Sequence, residues 1–326
     1  MTAKTLCIII PVYNEAEGLP DLLGRVGLIV DSIAIEFALS IEFIFIDDGS
    51  SDNSFALLKA HDFGRARRVR LLRFSRNFGK EAALSAGIAA AEDVDAAVLM
   101  DADLQHPPEM IASFVRIWQT EGVDCVYAYK VNRRVSEGLI KATLSQIFFW
   151  LINWNLRYKI APGAGDYRLI NKSFINALRS LPENDRFMKG LYGWVGFRQI
   201  GIPLNPPSRT RGKSNYNSVR LLLMSVSAIT SFSTAPLRLM ALAGIAIASI
   251  SLIYGFFILI QYLLFPTVPV GVTSILVLIA FFGGIQLSFL GLLGEYIGIS
   301  VLEAKKRPIY ILAEDIRKEN HCADCR

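Results

Sequence analysis

Charged side chains are missing from one long segment of this 326-residue chain: no Asp, Glu, Lys or Arg lies between Leu239 and Gly294. A helix needs roughly 20 apolar residues to cross a bilayer, so the segment is long enough for two crossings. Pro266 lies near its middle and marks a turn. We therefore predict two transmembrane helices, over 238–264 and 271–297. A helix that is apolar on every face also occurs in the core of large proteins, so a buried hairpin is the alternative.

Cysteine is scarce, with four residues in the chain. Cys7 and Cys125 lie in apolar segments and are predicted to be inert core residues. The other two follow His321 in an H-C-x-x-C string, as Cys322 and Cys325. That spacing is compatible with half of a zinc site or with a redox pair. For a cytoplasmic segment, reduced thiols in a disordered tail are the favoured interpretation.

Two further features are missing. The net charge of +5 comes with neither a basic helix nor an aromatic-rich RNA-binding motif, so we predict no nucleic-acid partner. On a membrane protein this positive charge favours contact with anionic lipid. The short apolar run 6–10 lacks the basic flank and cleavage site of a signal peptide, so the long first part of the chain is expected in the cytoplasm.

Basic residues flank the charge-free segment on both sides. Those before it are Arg209, Arg211, Lys213, Arg220 and Arg238, and those after it are Lys305, Lys306 and Arg307. The connecting turn has no positive charge. Lys and Arg are enriched in cytoplasmic loops, so both ends of the helix pair are predicted to be cytoplasmic. The expected location is a membrane, with the first part of the chain in the cytoplasm.

Strand and helix patterns alternate through the first part of the chain. Apolar, β-branched runs predict strands over 6–12, 41–46, 69–74, 96–100 and 123–129. This alternation is typical of an α/β fold with a mainly parallel, doubly wound sheet. We place the domain boundaries as follows: an α/β domain over 1–215, a juxtamembrane amphipathic helix over 216–237, two transmembrane helices over 238–297 and a cytoplasmic tail over 298–326.

Two segments have apolar side chains at helical spacing next to basic residues. They are 139–156, which also contains Trp150 and Trp154, and 219–233. Such amphipathic helices often lie in the membrane interface. Ordinary core packing is the alternative for both.

Carboxylates follow several of the predicted strands. Glu15 comes after the first, Asp48 after the second, and Asp101 and Asp103 after the fourth. Ligands of open α/β sheets bind at the carboxyl ends of the strands, and clustered carboxylates repel unless a cation or hydrogen-bond donors lie among them. Oxygen ligands suit Mg²⁺ or Mn²⁺. We therefore predict that Asp101 and Asp103 hold such a metal and that Asp48 accepts hydrogen bonds from a base or ribose; any of these acids alone would more simply be a turn residue.

Four ordered motifs carry a resemblance to a known family. They read IIIPVYNE at 8–15, IDDGSSD at 46–52, FSRNFGKEAAL at 74–84 and MDADLQHPPE at 100–109. With two predicted spans, the chain resembles the inverting polyprenyl-phosphate glycosyltransferases of family 2, and most of all their bactoprenol branch. The resemblance implies a GT-A fold: a Rossmann-like catalytic domain with a mainly parallel sheet, followed by interfacial helices and two transmembrane helices.

The resemblance also implies roles for individual residues. The nucleotide sugar would be held by Pro11, Tyr13, Glu15, Asp48, Asp101 and Gln105. Asp103, together with Asp101, would coordinate the metal, which offsets charge on the leaving nucleoside diphosphate. Asp166 would lie at the acceptor site and be catalytic or orient the nucleophile; a turn aspartate is the alternative. Lys80 follows a strand and opens a helix, where we expect it to meet the anionic nucleotide sugar unless it is only a solvated helix start.

Clusters of cations are predicted to meet the acceptor phosphate. The residues are Lys130, Arg133, Arg134, Arg209 and Lys213, with Arg211 as a further catalytic candidate. Arg and Lys side chains commonly bind phosphate oxygens. Where the family reads R-x-x-G-x-S-K-Y, this chain has Asn215 at the position of the lysine. We therefore take Arg211 and Lys213 as the candidates that contact the phosphate at this end of the domain. A positive-inside flank of the membrane span is the alternative, and both explanations can apply together.

The resulting prediction is an enzyme that transfers a hexose from a nucleotide sugar to a polyprenyl phosphate with inversion. The best guess for the hexose is glucose and for its donor UDP-glucose. The resemblance to the bactoprenol branch also implies a location in the bacterial plasma (inner) membrane. Transfer of mannose or another sugar to the same acceptor is one alternative. A processive polysaccharide synthase is another, although the chain has no Q-x-x-R-W motif. A catalytically silent membrane scaffold is a third. Small residues in the predicted spans also permit a homo-oligomer.

Overall fold

The structure is a computed structural model that describes residues 3–64, 68–130, 158, 163–184, 186–204, 235–264 and 272–319. Both predicted interfacial helices lie outside the described residues. So do the side chains of Lys130, Arg133, Arg134, Arg209, Arg211, Lys213, His321, Cys322 and Cys325. The described residues form two compact units. The first comprises those up to 204 together with 307–319, and the second comprises 235–264 and 272–306.

The first unit is built on an eight-stranded sheet of order β7-β5-β6-β4-β1-β2-β3-β8. The strands are β1 (Lys4–Val12), β2 (Leu39–Asp47), β3 (Arg68–Phe74), β4 (Ala96–Leu99), β5 (Cys125–Lys130), β6 (Ala164–Asn171), β7 (Gln199–Leu204) and β8 (Leu312–Glu319). The helices are α1 (Leu19–Glu36), α2 (Ser54–Ala60), α3 (Lys80–Ala90), α4 (Met110–Glu121), α5 (Lys172–Ser180) and α6 (Met188–Trp194).

Strand direction confirms the predicted mainly parallel sheet. Strands β4, β1, β2 and β3 are parallel neighbours, and β5 is parallel to β7. Strand β6 runs antiparallel between β4 and β5. The central strands are apolar because helices cover both faces of the sheet: Ile8, Ile9, Ile10 and Ile44 are fully buried.

Helix α3 packs directly on the centre of the sheet. A side chain at Gly87 would collide with Ile9 and Ile46, so the small residue allows the helix this close approach. Residues 82–88 are all buried, which explains the Ala-rich sequence of the helix. Because α3 follows β3, its first residue, Lys80, lies at the carboxyl end of the parallel strands.

Strand β8 was not predicted. The sequence pattern predicts a tail over 298–326, but Leu312–Glu319 pairs antiparallel with β3 at the edge of the sheet. Arg70 donates to both carboxylate oxygens of Asp315, at 3.0 and 2.8 Å. The strand was missed because its sequence is rich in charge, which is typical of an edge strand that protects the sheet from further pairing.

The second unit contains two long apolar helices, α7 (Ala235–Leu264) and α8 (Val272–Ala304). Segments Leu237–Phe257 and Phe281–Ala304 are long and apolar enough to cross a membrane. The predicted helix over 271–297 ends too early, since α8 continues to Ala304. The residues added include Glu303, so hydropathy alone did not detect the end of the helix.

Candidate active site

The loop after β4 carries the D-x-D motif at the carboxyl end of the sheet. The Asp101 backbone N–H donates to His106 Nδ1 at 3.0 Å. Asp103 is exposed, and its Oδ1 accepts the Gln105 backbone N–H at 3.1 Å. Leu104 has a positive φ of 58°. The loop is thus a tight turn in which Asp101 is partly buried and Asp103 is exposed to solvent.

Strand register brings Asp166 beside this motif. In the antiparallel pair of β4 and β6, Leu99 lies opposite Arg168. Continuing this register past the end of β4 sets Asp101 opposite Asp166. An antiparallel neighbour of β4 therefore joins two carboxylates that are distant in sequence.

Lys80 lies between these two carboxylates. Its Nζ is 2.6 Å from Asp101 Oδ1 and 2.9 Å from Asp166 Oδ2. Burial alone would lower the pKa of Lys80, but the two carboxylates raise it above its ordinary value. Burial alone would likewise raise the pKa of Asp166, yet the ammonium of Lys80 lowers it. The arrangement keeps both Lys80 and Asp166 charged at neutral pH.

Glu15 adds negative charge near the D-x-D motif. It follows β1, and its backbone N–H donates to Ser54 Oγ at 2.9 Å. Its pKa is raised, first by burial and then by the charges of Asp103, Asp52 and Asp101. The neighbouring acids add to the effect of burial because their negative charge disfavours a second charge on Glu15.

Asp48 is nearly buried and bonds to the chain's own backbone. Its carboxylate accepts the N–H groups of Phe78, at 2.7 Å, and Gly79, at 2.9 Å. Burial raises its pKa although these bonds oppose the rise. Its visible contacts therefore hold the loop that leads into α3 and so position Lys80.

His106 was quoted within a motif but given no role by the sequence. Its ring stacks on Tyr167, with centroids 4.7 Å apart, and Nε2 lies 3.7 Å from Asp101 Oδ2. Burial lowers the pKa of His106, so the ring is neutral near pH 7. Its contacts support the Asp101 side of the loop.

Glu81, next to Lys80, is a half-buried carboxyl group to which the motifs assign no role. Its Oε2 accepts the Met188 backbone N–H at 3.1 Å, which ties α3 to α6. Burial, with the nearby charge of Asp166, raises the pKa of Glu81 to about 7. The residue therefore titrates in the physiological range.

Residues 7–179 match the family model described as glycosyl transferase family 2. The chain belongs to this family. A bactoprenol glucosyl transferase of Shigella phage SfV is 37% identical over 313 residues, which are 96% of this chain and 99% of that one. An uncharacterized glycosyltransferase of Synechocystis sp., sll0501, is 37% identical over 309 residues, 95% of each chain. A solved glucosyl-3-phosphoglycerate synthase from Mycobacterium tuberculosis is 20% identical over 70% of this chain and 78% of that one, with a TM-score of 0.44.

Membership in glycosyl transferase family 2 confirms the resemblance seen in the motifs, and the chain is a glycosyltransferase. The structure brings Lys80, Asp101 and Asp166 into direct contact and sets Glu15 near Asp103. Gln105 lies in the same loop as the D-x-D motif. Tyr13 is 47% exposed just beyond β1, and Pro11 is the β1 residue paired with Ile46. Their nucleotide-binding roles remain predictions.

The carboxylates of this glycosyltransferase fit a hard divalent cation. Among the described residues, no group of three or more His, Cys, Asp or Glu side chains is arranged to hold a metal. Mg²⁺, however, is commonly bound by one or two carboxylates together with substrate phosphates. Asp103 is exposed, whereas both oxygens of Asp101 contact Lys80. The raised pKa of Glu15 beside them agrees with a site in which a cation would relieve repulsion.

Proposed function

We propose that this enzyme transfers glucose from UDP-glucose to a polyprenyl phosphate, with inversion at the sugar carbon. The main support for this proposal is the pair of contacts from Lys80 to Asp101 and Asp166, at 2.6 and 2.9 Å. One carboxylate belongs to the D-x-D motif, and the other lies on the strand that the motif resemblance assigns to the acceptor. The sugar donor and the lipid acceptor would thus bind next to each other, beside the two salt bridges of Lys80.

The names of the relatives support the choice of substrates. Two of them, from Shigella phage SfV and from Escherichia coli K12, are named as a bactoprenol glucosyl transferase and a homologue of one. The identity of 37% and 36% extends over nearly the whole of each chain. We therefore infer glucose as the sugar and a polyprenyl phosphate as the acceptor.

The chemistry needs positioned charges more than a strong base. An oxygen of the phosphate monoester bonds to the sugar carbon while the bond from that carbon to UDP breaks and its electron pair leaves with UDP. A phosphate monoester is already largely ionised near pH 7, so no proton has to be removed. Lys80 would offset the repulsion between Asp166 and two anionic substrates. Asp103, with Asp101, would hold Mg²⁺ or Mn²⁺, and the bound metal would neutralise charge on the leaving UDP.

We place the enzyme in the bacterial plasma membrane with its first unit in the cytoplasm. The support is the pair of candidate spans, Leu237–Phe257 and Phe281–Ala304, together with the basic flanks. The chain leaves the first unit before α7 and rejoins it after α8, so two crossings would return it to the same side. An acceptor phosphate at the membrane surface would then be within reach of a cytoplasmic sugar donor.

The test is a screen of sugar donors against lipid acceptors. Purified full-length protein is mixed with Mg²⁺, undecaprenyl phosphate and radiolabelled UDP-glucose, UDP-galactose or GDP-mannose, and lipid-soluble label is counted. We expect label from UDP-glucose only, and only when the lipid phosphate is present. A lipid product from GDP-mannose would indicate mannosyl transfer, and long polymer made without lipid phosphate would indicate a processive synthase. Absence of product from every donor would contradict the proposal.

A further inference from the structure

A cavity of about 340 Å³ opens in the first unit. Its lining comes from β5, β6, α6 and the segment leading into β7. The described residues of the lining include Tyr127, Arg168, Lys189, Tyr192 and Gln199. Ligand pockets range from about 300 to 1,000 Å³, so this one suits a small head group. None of these side chains was assigned a role by the motifs.

Unpartnered polar atoms cluster around this cavity. Among the described residues, Asp166 Oδ1, Arg168 Nε and Tyr192 Oη are buried and have no hydrogen-bond partner. Buried polar atoms are almost always bonded, so each exception calls for a missing partner. Two of the three line the cavity, and Asp166 lies two residues before Arg168 on β6. A bound ligand that offers acceptor oxygens would satisfy Arg168 Nε and Tyr192 Oη, the two that line the cavity.

Arg168 is held in place from several directions. It is only 2% exposed, and its guanidinium lies 3.4 Å from the centroid of the Tyr192 ring. One of its nitrogens donates to the Gly165 carbonyl at 2.6 Å, while Nε is left without an acceptor. Stacking and this bond fix the plane of the guanidinium, so its remaining donors have a set direction.

Lys189 supplies a second cation at the same cavity. It lies on α6 and is half-buried. Within the described part of the chain it forms no ion pair closer than 4 Å, although its charge lowers the pKa of Asp166. Two cations and the hydroxyls of Tyr127 and Tyr192 make the lining rich in hydrogen-bond donors.

We propose that this cavity binds a phosphate monoester, with Arg168 and Lys189 as the residues that contact its oxygens. Donor-rich, cationic linings match the three acceptor oxygens of a monoester better than they match neutral sugars. Resting on the proposed function, this assigns the cavity to the phosphate of the lipid acceptor, beside Asp166. It adds two residues to the cations predicted from sequence, whose side chains lie outside the described residues.

The experiment measures binding of geranyl phosphate, a short soluble prenyl phosphate, to purified full-length protein by calorimetry. Lys189→Met and Arg168→Lys are each compared with Lys172→Met, a matched change at an exposed lysine on α5. We expect about tenfold or greater loss of affinity for Lys189→Met, which removes a charge-assisted bond, and for Arg168→Lys, which removes the fork of guanidinium donors, and no loss for Lys172→Met. Because Arg168 is buried and stacked on Tyr192, the thermal melting curve of Arg168→Lys is compared with that of wild type to show that the variant is folded.

Further arms separate this inference from the function on which it rests. UDP affinity should be unchanged in Lys189→Met, and in turnover the variant should raise KM for the lipid phosphate but not for UDP-glucose. Geranyl alcohol should not bind, and inorganic phosphate should compete only weakly. Equal binding of geranyl phosphate by wild type and Lys189→Met would overturn the site even if glucosyl transfer is found. Equal competition by inorganic phosphate would overturn its assignment to a monoester, and loss restricted to UDP affinity would assign Lys189 to the donor instead.

Discussion

Lys80 lies between Asp101 and Asp166, two carboxylates on different strands of the sheet. The positions of these residues in the sequence do not reveal that they touch. Each carboxylate alone would be a turn residue, and the lysine alone a solvated helix start. Joined, they place one ammonium between two carboxylates at the carboxyl end of the sheet, so their net charge is −1 instead of −2 and an anionic ligand would be repelled less.

Asp103 offers a test of the metal role at a single residue. We expect Asp103→Asn to lower kcat by about 100-fold or more, the scale seen when one electrostatic partner of a reaction is removed. Because the side chain is exposed, stability should change by less than about 0.5 kcal/mol. The measurements are glucosyl transfer and thermal melting, with Asp21→Asn, at an exposed position of α1, as the control. Activity retained in Asp103→Asn would contradict the metal role.

Glu81 should leave a mark on the pH dependence of stability. Its pKa is raised to about 7 in the folded protein. Between the ordinary pKa of a glutamate and pH 7, the folded protein therefore keeps a proton that the unfolded chain has released. The contribution of Glu81 to stability therefore falls as pH rises from about 4.5 through 7. Glutamine keeps an oxygen to accept the Met188 N–H but cannot ionise. We expect Glu81→Gln to gain about 1–3 kcal/mol relative to wild type between pH 5 and 8.

Denaturant unfolding at several pH values measures this difference. The control is Glu17→Gln, at an exposed position before α1, which should show no pH-dependent gain. If the difference in unfolding free energy between Glu81→Gln and wild type stays constant across the pH range, the pKa of Glu81 is not raised.

At the scale of elements, two loops are joined by hydrogen bonds at the carboxyl end of the sheet. One is the turn after β2, which contains Asp48 and Gly49, and the other precedes α3. Asp48 accepts two backbone N–H groups from the second loop. Gly49 has a φ of +67°, and a side chain there would collide with the backbone of Arg76 and Asn77. The contact sets where α3, and therefore Lys80, begins.

Gly49→Ala tests this contact. An alanine with positive φ costs about 1 kcal/mol, and the collision with backbone adds a further ~1–3 kcal/mol. The matched control is Gly122→Ala, where φ is +59° but nothing lies within 4 Å of the added carbon. Denaturant unfolding should therefore show a clearly larger loss for Gly49→Ala, together with weaker UDP binding. Equal losses at the two glycines would show that the loops do not depend on this close approach.

At the scale of the whole molecule, the chain leaves the sheet, forms α7 and α8, and returns to complete the sheet with β8. Arg70 and Asp315, on β3 and β8, form a bidentate pair, and Tyr310 stacks on Phe74 with ring centroids 5.0 Å apart. The segment after the helix pair is thus part of the folded first unit. Described residues both before α7 and after α8 therefore belong to the first unit.

Two truncations test the contribution of β8. Ending the chain after Asn320 removes the H-C-x-x-C residues but keeps the strand, and we expect the melting temperature to stay within about 2 °C of wild type. Ending it after Ile311 removes β8 and exposes the edge of β3, so we expect a lower melting temperature and aggregation. Equal melting temperatures for the two truncations would show that β8 contributes nothing to the first unit.

The sequence by itself determined the features that depend on local pattern. The charge-free segment specified two long apolar helices, and apolar runs ending in carboxylates specified a mainly parallel sheet with acids at one edge. Ordered motifs specified glycosyl transferase family 2. These features were predictable because hydrophobic periodicity and composition are properties of neighbouring residues.

The tertiary structure decided what depends on contacts between distant residues. Register between β4 and β6 sets Asp166 beside Asp101, and the close packing of α3 carries Lys80 between them. Strand β8 was missed because its charged sequence becomes a strand only where the edge of β3 offers partners. The unpartnered atoms of Arg168 and Tyr192 are likewise a property of burial, which the sequence does not show. Long-range packing fixes these features, since local preference is too weak to specify them.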